Sequence, residues 1–124
     1  IMRVCIIGSR SLDKAEIVMP IIDKFFKEHT KKPQVIVSGG AKGVDTFSQL
    51  YAEHNGLDFI QILPYHLLDP TVDFNSKYFF VRTKQMISNA DKVLAIWDTR
   101  SKGTEYGIKL AQKLDIPVMV VKVP

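Results

Sequence analysis

The stretch from residue 35 to residue 45 carries two adjacent glycines between a β-branched apolar run and a helical pattern. The apolar run ends at Ser38, the glycines are Gly39 and Gly40, and the helical pattern begins at Val44. Because glycine has no Cβ, backbone N–H groups of such a turn approach an anion closely, and the helix that follows adds unpaired N–H donors and the positive end of its dipole. The pattern predicts a phosphate-binding turn. A tight strand-to-helix connection without a ligand is the alternative.

The helix side of this turn is charged. Lys42 and Gly43 extend the predicted phosphate site, and Asp45 falls in the first helical turn, where the dipole stabilises a carboxylate. Lys42 is not a Walker lysine, because the required Gly-Lys-Ser/Thr context is missing. Asp45 is therefore either a site residue or only a stabiliser of its own helix.

Polar, glycine-containing segments also follow two other apolar runs. The candidate ligand-binding residues there are Gly8, Ser9 and Arg10 after the first run, and Trp97, Asp98, Ser101, Gly103 and Thr104 after a later one. Arg10 is placed to grip a phosphate through two parallel hydrogen bonds, with a surface ion pair as the alternative. Thr104 is predicted to cap a helix whose first-turn amides, with Gly103, receive a second anion; capping alone is the alternative.

Further residues suit the rest of a nucleotide. Arg82, on a predicted helix, is expected to close over the site with its positive charge. Asp98 is placed to accept ribose hydroxyls, and Trp97 offers an aromatic face for a base, with core packing as the alternative. Asp45, Asp98 and Glu105 are the candidate general acids or bases, and the sequence leaves open whether any two approach one atom. No residue spacing resembles a metal site, and no cofactor is expected.

Apolar runs and helical patterns alternate along the whole chain. The predicted strands span 3–7, 34–37, 58–63, 92–97 and 117–121, and the predicted helices span 13–29, 44–54, 75–89 and 104–114, with an irregular segment at 64–74. This alternation predicts an α/β fold of three layers, a doubly wound five-stranded parallel sheet covered on both faces, with strand order 3-2-1-4-5. Strands one and four are then neighbours, and the polar segments should meet in the crevice at their carboxyl ends. Pro20 is expected to kink or split the first helix.

Composition limits the class of protein. The 124 residues are 46% hydrophobic and 24% charged, which is ordinary for one globular domain, expected over 2–124. No apolar run is long enough to span a bilayer, and no secretory signal pattern is present, so no membrane partner is expected. The lone cysteine favours a reducing, cytoplasmic location. The net charge of +4 permits nucleic acid without implying it, and a lysine cluster at 24, 27, 31 and 32 reads best as a solvated helix end.

Four of these segments together resemble the SLOG superfamily of Rossmann-like proteins. They are 8–10, 38–45, Arg82-Thr83 with Met86, and 101–104, so the likeness covers nearly the whole chain. It is strongest to a small branch found in phages and bacteria, and DprA and the Lonely Guy phosphoribohydrolases are more distant relatives. The resemblance implies a nucleotide-type ligand held through the glycine-containing turns, and also a homodimer.

The chain departs from both of those more distant relatives. Lonely Guy enzymes carry Pro-Gly-Gly-x-Gly-Thr-x-x-Glu, and aligning its Gly-Thr on Gly103 and Thr104 puts Gly107 at the position of the catalytic glutamate, with Glu105 two residues away. DprA-like proteins are longer and often have Arg-Asn-Arg where this chain has Arg82-Thr83-Lys84.

The sequence therefore supports three hypotheses. The first is a domain that binds a nucleotide or nucleoside phosphate on 38–43 and 103–104, with Arg10 and Arg82 gripping it. N-glycosidic cleavage by a phosphoribohydrolase-like reaction is left open, with Asp98 and Glu105 as the candidate catalytic carboxylates. The second is a DprA-like module that binds single-stranded DNA. The third is an interaction protein whose pocket no longer binds a ligand.

Overall fold

Strands and helices alternate along the part of the chain that the structure, a computed structural model, describes: residues 2–29 and 35–124. The strands are β1 Arg3–Gly8, β2 Val35–Ser38, β3 Asp58–Gln61, β4 Lys92–Trp97 and β5 Val118–Lys122. The helices are α1 Ala15–His29, α2 Val44–His54, α3 Tyr65–Leu68, α4 Lys77–Ser88 and α5 Lys102–Lys113. The predicted start of the second strand at Gln34 and the predicted lysine cluster at Lys31 and Lys32 lie outside the described residues.

The observed elements correct the sequence prediction in several places. The segment expected to be irregular contains the short helix α3. Helix α5 begins at Lys102, two residues before the predicted start, because the side chain of Ser101 caps it. Helix α1 is not split, since it continues through Pro20 as one element.

The described strands form one five-stranded parallel sheet in the order β3-β2-β1-β4-β5, which confirms the predicted doubly wound topology. Strand β1 pairs with β2 on one side and with β4 on the other, and Gly8 at its end lies beside Ile96. The winding reverses between β1 and β4, so their carboxyl ends border a crevice.

The three central strands β2, β1 and β4 are buried on both faces, as their continuous apolar sequences require, whereas the edge strand β3 is mostly exposed and the edge strand β5 is half-buried. Alternate strand residues point to opposite faces, and each face has its own apolar core. One core packs β1 and β4 against α1 and α2, where the rings of Phe26 and Tyr51 stack with centroids 5.1 Å apart. The other packs the sheet against α4 and α5 and contains Cys5, Ile87 and Ile108. The helices are therefore held rigidly enough to position the loops at the crevice.

Within the described residues, the helices are all too short or too polar to cross a membrane.

Candidate functional site

A pocket of about 460 Å³ opens at the crevice between β1 and β4. The loop after β1, the loop after β4, the start of α5 and one face of α4 form its walls. Ligands of doubly wound proteins bind at this position, and the volume lies in the ordinary range of small-molecule sites.

The loop after β4 is organised around Asp98. The Oδ1 atom of Asp98 accepts hydrogen bonds from the backbone N–H groups of Arg100 and Ser101, both at 2.8 Å. These bonds hold a sharp turn in which Thr99 has a φ of 70°, a conformation that β-branched residues rarely adopt. The turn aims the first residues of α5 at the pocket.

Asp98 also joins this loop to the loop after β1. Its Oδ2 atom accepts a hydrogen bond from the Ser11 hydroxyl at 2.7 Å, and its backbone N–H donates to Oγ of Ser9 at 3.0 Å. The hydrogen bonds from Ser11, and then those from Arg100 and Ser101, hold the pKa of Asp98 well below its ordinary value. The carboxylate therefore stays ionised and holds the two loops together.

The start of α5 is an open helix N-terminus. Ser101 is the N-cap, and its Oγ accepts a hydrogen bond from the backbone N–H of Thr104 at 3.3 Å. The prediction that Thr104 is the cap was therefore wrong: Thr104 lies inside the first turn, with its hydroxyl 3.1 Å from that of Ser101. The described residues leave open space around the position that a Cβ on Gly103 would occupy.

The turn after β2 is more closed. The guanidinium of Arg82 reaches across from α4, and its Nη1 donates to the carbonyl oxygen of Gly39 at 2.7 Å. A Cβ on Gly39 would lie 2.5 Å from that Nη1. At Gly40, whose φ is 74°, it would lie 1.9 Å from Nε2 of Gln61. A Cβ at Gly39 would therefore displace the end of the Arg82 side chain, and Gly40 is required by its left-handed φ.

Gly43 and Gly8 are also in close contact with their neighbours. Gly43 has a φ of 74°, and a Cβ there would lie 2.8 Å from the carbonyl oxygen of Arg10 and 2.9 Å from that of Ser9. A Cβ on Gly8 would lie 2.4 Å from the side chain of Val44. These two glycines let the start of α2 pack directly against the loop after β1.

Asp45 lies at the bottom of the pocket and is almost fully buried. Its Oδ2 accepts a hydrogen bond from the backbone N–H of Ala41 at 2.9 Å, so the protein's own carboxylate occupies a donor of the glycine turn. Burial raises the pKa of Asp45, although the hydrogen bond from the backbone N–H of Ala41 and the positive charges of Arg82 and Arg10 oppose that rise.

The guanidinium groups of Arg10 and Arg82 both contact the aromatic ring of Phe79. The guanidinium carbon of Arg10 lies 5.4 Å, and that of Arg82 5.8 Å, from the ring centroid of Phe79. Burial lowers the pKa of Arg82 and the charge of Arg10 lowers it further, while Asp45 opposes the shift. Cation–π contacts thus hold two like charges close together at the pocket.

Aromatic side chains complete the wall on the helix side. Phe79 and Phe80 of α4 and Tyr106 of α5 line the pocket, and the rings of Phe80 and Tyr106 meet edge to face with centroids 4.8 Å apart. The pocket therefore combines cations, an open helix N-terminus and aromatic faces.

The two carboxylates predicted as candidate catalytic residues, Glu105 and Asp98, have different surroundings. Glu105 does not line the pocket, and its Oε1 is 3.3 Å from the ammonium of Lys109 on the exposed side of α5. Asp98 lines the pocket, but its oxygens accept the hydrogen bonds described above. At Gly107 there is no room for the glutamate of Lonely Guy enzymes, because a Cβ would lie 2.6 Å from Cδ1 of Ile7. Among the described residues, no His, Cys, Asp and Glu side chains cluster as metal ligands.

The structure brings about half of the sequence-predicted site residues to the pocket. Those that line it are Gly8, Arg10, Asp45, Arg82, Asp98, Ser101, Gly103 and Thr104. Those that lie behind or beside it are Ser9, Ser38, Gly39, Gly40, Lys42, Gly43, Trp97 and Glu105. Trp97 packs against the core on the α4 and α5 face, and its Nε1 donates to the carbonyl oxygen of Ser101 at 3.0 Å. It therefore supports the loop from behind.

Sequence reasoning missed the aromatic wall and the small residues between its parts. The lining residues that were not predicted as site residues are Ile7, Ser11, Ala41, Ser76, Phe79, Phe80, Thr83, Met86 and Tyr106, of which Thr83 and Met86 entered only through the family resemblance. A helical spacing was available as a signal, since Phe79, Arg82, Thr83 and Met86 recur three and four residues apart and so share a face of α4.

A family model described as YAcAr, the YspA, cpYpsA-related SLOG family, matches residues 2–66, more than half of the 124. Among curated protein sequences, none matches the chain.

Solved structures share the fold. DNA processing protein A (DprA) from Streptococcus pneumoniae is 23% identical with a TM-score of 0.77, over 99% of this chain and 51% of that one. The Helicobacter pylori DprA, whose single-stranded DNA binding mode was described, is 24% identical with a TM-score of 0.68, over 99% and 66%. The structural-genomics target TM1055 is 23% identical with a TM-score of 0.64, over 95% and 72%. The chain thus spans about half of the length of the first DprA and 66% of the length of the second.

Proposed function

The chain belongs to the YspA, cpYpsA-related SLOG family, and on this premise we propose that it binds a nucleotide or nucleoside phosphate in the pocket between β1 and β4. The observation that carries the proposal is the pairing of Arg10 and Arg82 on the ring of Phe79, within the same pocket as the open N-terminus of α5. Guanidinium groups and free helix amides are the donors that phosphate oxygens prefer.

The phosphate is expected to lie between the arginines and the first turn of α5. Gly103 leaves the backbone there accessible, and the hydroxyls of Ser101 and Thr104 line the same wall. This differs from the site predicted from the sequence, because in the turn at 38–43 the N–H of Ala41 is bonded to Asp45 and the carbonyl oxygen of Gly39 to Arg82. We therefore assign the phosphate to the α5 turn first.

The base is expected to stack on the aromatic wall. Phe80 and Tyr106 are partly exposed at the pocket, and aromatic faces bind nucleobases with little dependence on their sequence. The pocket supports binding better than N-glycosidic cleavage, because Glu105 pairs with Lys109 and the carboxylate of Asp98 is held by Ser11.

Calorimetric titration with nucleoside mono- and diphosphates tests the proposal. Arg10→Ala is expected to weaken binding at least about tenfold, since a charge-assisted hydrogen bond contributes about 1.5–3 kcal/mol. Arg100→Ala is the matched control, because Arg100 is exposed in a neighbouring loop and does not line the pocket. Chromatography of the incubated nucleotides is expected to show no released base. Equal affinity of the two variants and the parent protein would contradict the proposal.

Single-stranded DNA binding is the second candidate function. The fold likeness to DprA favours it, and so does α4, where the exposed Lys77 and Lys84 lie on either side of the rings of Tyr78 and Phe80 in the sequence. This hypothesis predicts affinity that falls steeply with salt and grows with oligonucleotide length. A mononucleotide that binds as tightly as an oligonucleotide would exclude it.

A further inference from the structure

A buried carboxylate, that of Asp45, forms part of the floor of a pocket that also presents two arginines. The side chain is only 7% exposed, and it lines the pocket together with Arg10 and Arg82, whose positive charges act on it. A carboxylate in this place repels phosphate oxygens and attracts hydrogen-bond donors. The floor therefore suits a different part of a ligand from the arginines.

The two carboxylates that line the pocket, Asp45 and Asp98, differ in how far the protein itself uses them. Both oxygens of Asp98 accept hydrogen bonds, Oδ1 from two backbone N–H groups of its own loop and Oδ2 from the hydroxyl of Ser11. From the described residues, Asp45 accepts one hydrogen bond, which the N–H of Ala41 donates to Oδ2 at 2.9 Å. Its Oδ1 is therefore left to accept a hydrogen bond from a ligand.

Two further polar atoms near this carboxylate have no partner. Oγ of Ser38 and Nε of Arg82 are buried and make no hydrogen bond within the part of the chain that the structure describes. Both side chains are close enough to Asp45 to influence its ionisation. Because buried polar atoms are ordinarily paired, the pocket floor has more hydrogen-bonding capacity than the protein itself uses.

We propose that Asp45 accepts a hydrogen bond from a ribose hydroxyl and so makes the pocket select free ribonucleotides, an inference that rests on the proposed function. The sugar is the part of a nucleotide that is bonded directly to the phosphate, and Asp45 lies beside the arginines that are proposed to hold that phosphate. A hydroxyl gives Oδ1 the donor that it lacks. The charge of the acceptor makes this bond stronger than one between neutral groups.

This role for Asp45 separates the two candidate functions. In a DNA strand the sugar has no 2′-hydroxyl and its 3′-oxygen is esterified, so an internal nucleotide offers Asp45 no hydroxyl. A free ribonucleotide offers both. The same carboxylate therefore favours a single ribonucleotide over a DNA strand in this pocket.

Calorimetric titration with ribonucleoside monophosphates and with their dideoxy counterparts, which lack both ribose hydroxyls, tests the role of Asp45. The parent protein is expected to bind the ribonucleotide at least about tenfold more tightly. Asp45→Asn keeps an oxygen for the N–H of Ala41 but removes the charge, so it is expected to lose most of this preference and to bind inorganic phosphate more tightly. Glu53→Gln, which neutralises an exposed carboxylate on the same helix, is the matched control and should keep the preference.

Circular dichroism establishes that each variant is folded. Equal affinity of the parent protein for the two forms of the nucleotide would overturn the inference and leave the nucleotide-binding function standing. An equal loss of affinity for both forms in Asp45→Asn would also overturn it, because the carboxylate would then only support the turn. So would a preference that follows the base and not the hydroxyls. Failure of every nucleoside phosphate to bind the parent protein would overturn the proposed function and this inference together.

Discussion

The turns after β2 and after β4 both carry glycine, hydroxyl and charged residues, yet they use their backbone groups in different ways. In the β2 turn, the N–H of Ala41 is taken by Asp45 and the carbonyl of Gly39 by Arg82. In the β4 turn, Ser101 caps the helix and the space around Gly103 is open. Glycine content therefore does not identify the ligand-facing turn. What favours the β4 turn in our proposal is the open space around Gly103 at the pocket.

Each turn also has one aspartate bonded to it, and the two carboxylates differ in burial and in the direction of their pKa shifts. Asp45 is buried, and its pKa is raised by the loss of water around it. Asp98 is partly exposed, and its pKa is lowered by hydrogen bonds from Ser11, Arg100 and Ser101. In the first turn a carboxylate is buried at a cost where it bonds to the turn, whereas in the second a carboxylate accepts hydrogen bonds that hold two loops in place.

Replacing a glycine by alanine is expected to change the free energy of unfolding most differently in the two turns. Gly43→Ala is expected to lower the free energy of unfolding by about 3 kcal/mol, because it adds left-handed strain and a contact under 3 Å with backbone oxygens of Arg10 and Ser9. Gly103→Ala, in open space within a helix, is expected to be neutral or to raise it by up to about 1 kcal/mol. Urea unfolding measures both, and equal effects would contradict the distinction.

The arginines provide the next largest contrast. Arg82→Met removes the bond to the carbonyl of Gly39 and also a pocket charge, so it is expected to cost about 1–3 kcal/mol of stability together with ligand affinity. Arg10→Met removes an exposed charge at the pocket and is expected to lower affinity with a change in stability within about 0.5 kcal/mol. Unfolding and calorimetric titration separate the two effects. Loss of stability alone in Arg82→Met would mean that this arginine only supports the glycine turn.

The sheet could be predicted from the sequence because its signals are local and repeated. The β-branched run 35–38 and the apolar run 92–97 can only be buried strands, and short alternating helices leave few ways to wind them. The positions of the strand ends follow from that winding, so the sequence predicts that Arg10, Asp98 and Thr104 meet at one crevice, and all three line the pocket.

The rest of the site depends on contacts between distant residues. Nothing local shows that Arg82 bonds to Gly39, 43 residues away, or that Gln61 fills the space above Gly40. The sequence therefore predicts a ligand beside these glycines but does not show that Arg82 and Gln61 pack against them. Phe80 and Tyr106 were missed because aromatic residues on amphipathic helices ordinarily pack in a core.

The aspartates are expected to respond to pH with opposite signs. A lowered pKa means that the stability from Asp98 is complete above the ordinary value of 3.8 and is lost as the pH falls below it toward the folded pKa. Asp98→Asn should therefore cost about 1–2 kcal/mol at neutral pH and much less in acid.

The raised pKa of Asp45 has the reverse effect. Its contribution is complete below 3.8 and is lost as the pH rises from there through the folded pKa, so Asp45→Asn should gain stability relative to the parent protein over that range. Free energies of unfolding for both variants between about pH 2 and pH 7 test the pair. Parallel curves for the two substitutions would show that the environments of the two carboxylates do not differ as described.

The smallest expected effect comes from Thr99, whose φ of 70° is held by the hydrogen bonds to Asp98. Glycine adopts this conformation freely, so Thr99→Gly relieves strain of about 1 kcal/mol, partly offset by the greater freedom of glycine in the unfolded chain. We expect a net gain of up to about 1 kcal/mol with unchanged ligand affinity, measured by urea unfolding and titration. The same substitution in Asp98→Asn should stabilise by a different amount, because the bonds that enforce the strain have changed. If Thr99→Gly instead weakens binding, the strained turn holds the start of α5 in its binding geometry, and the open turn is then as strictly constrained as the closed one.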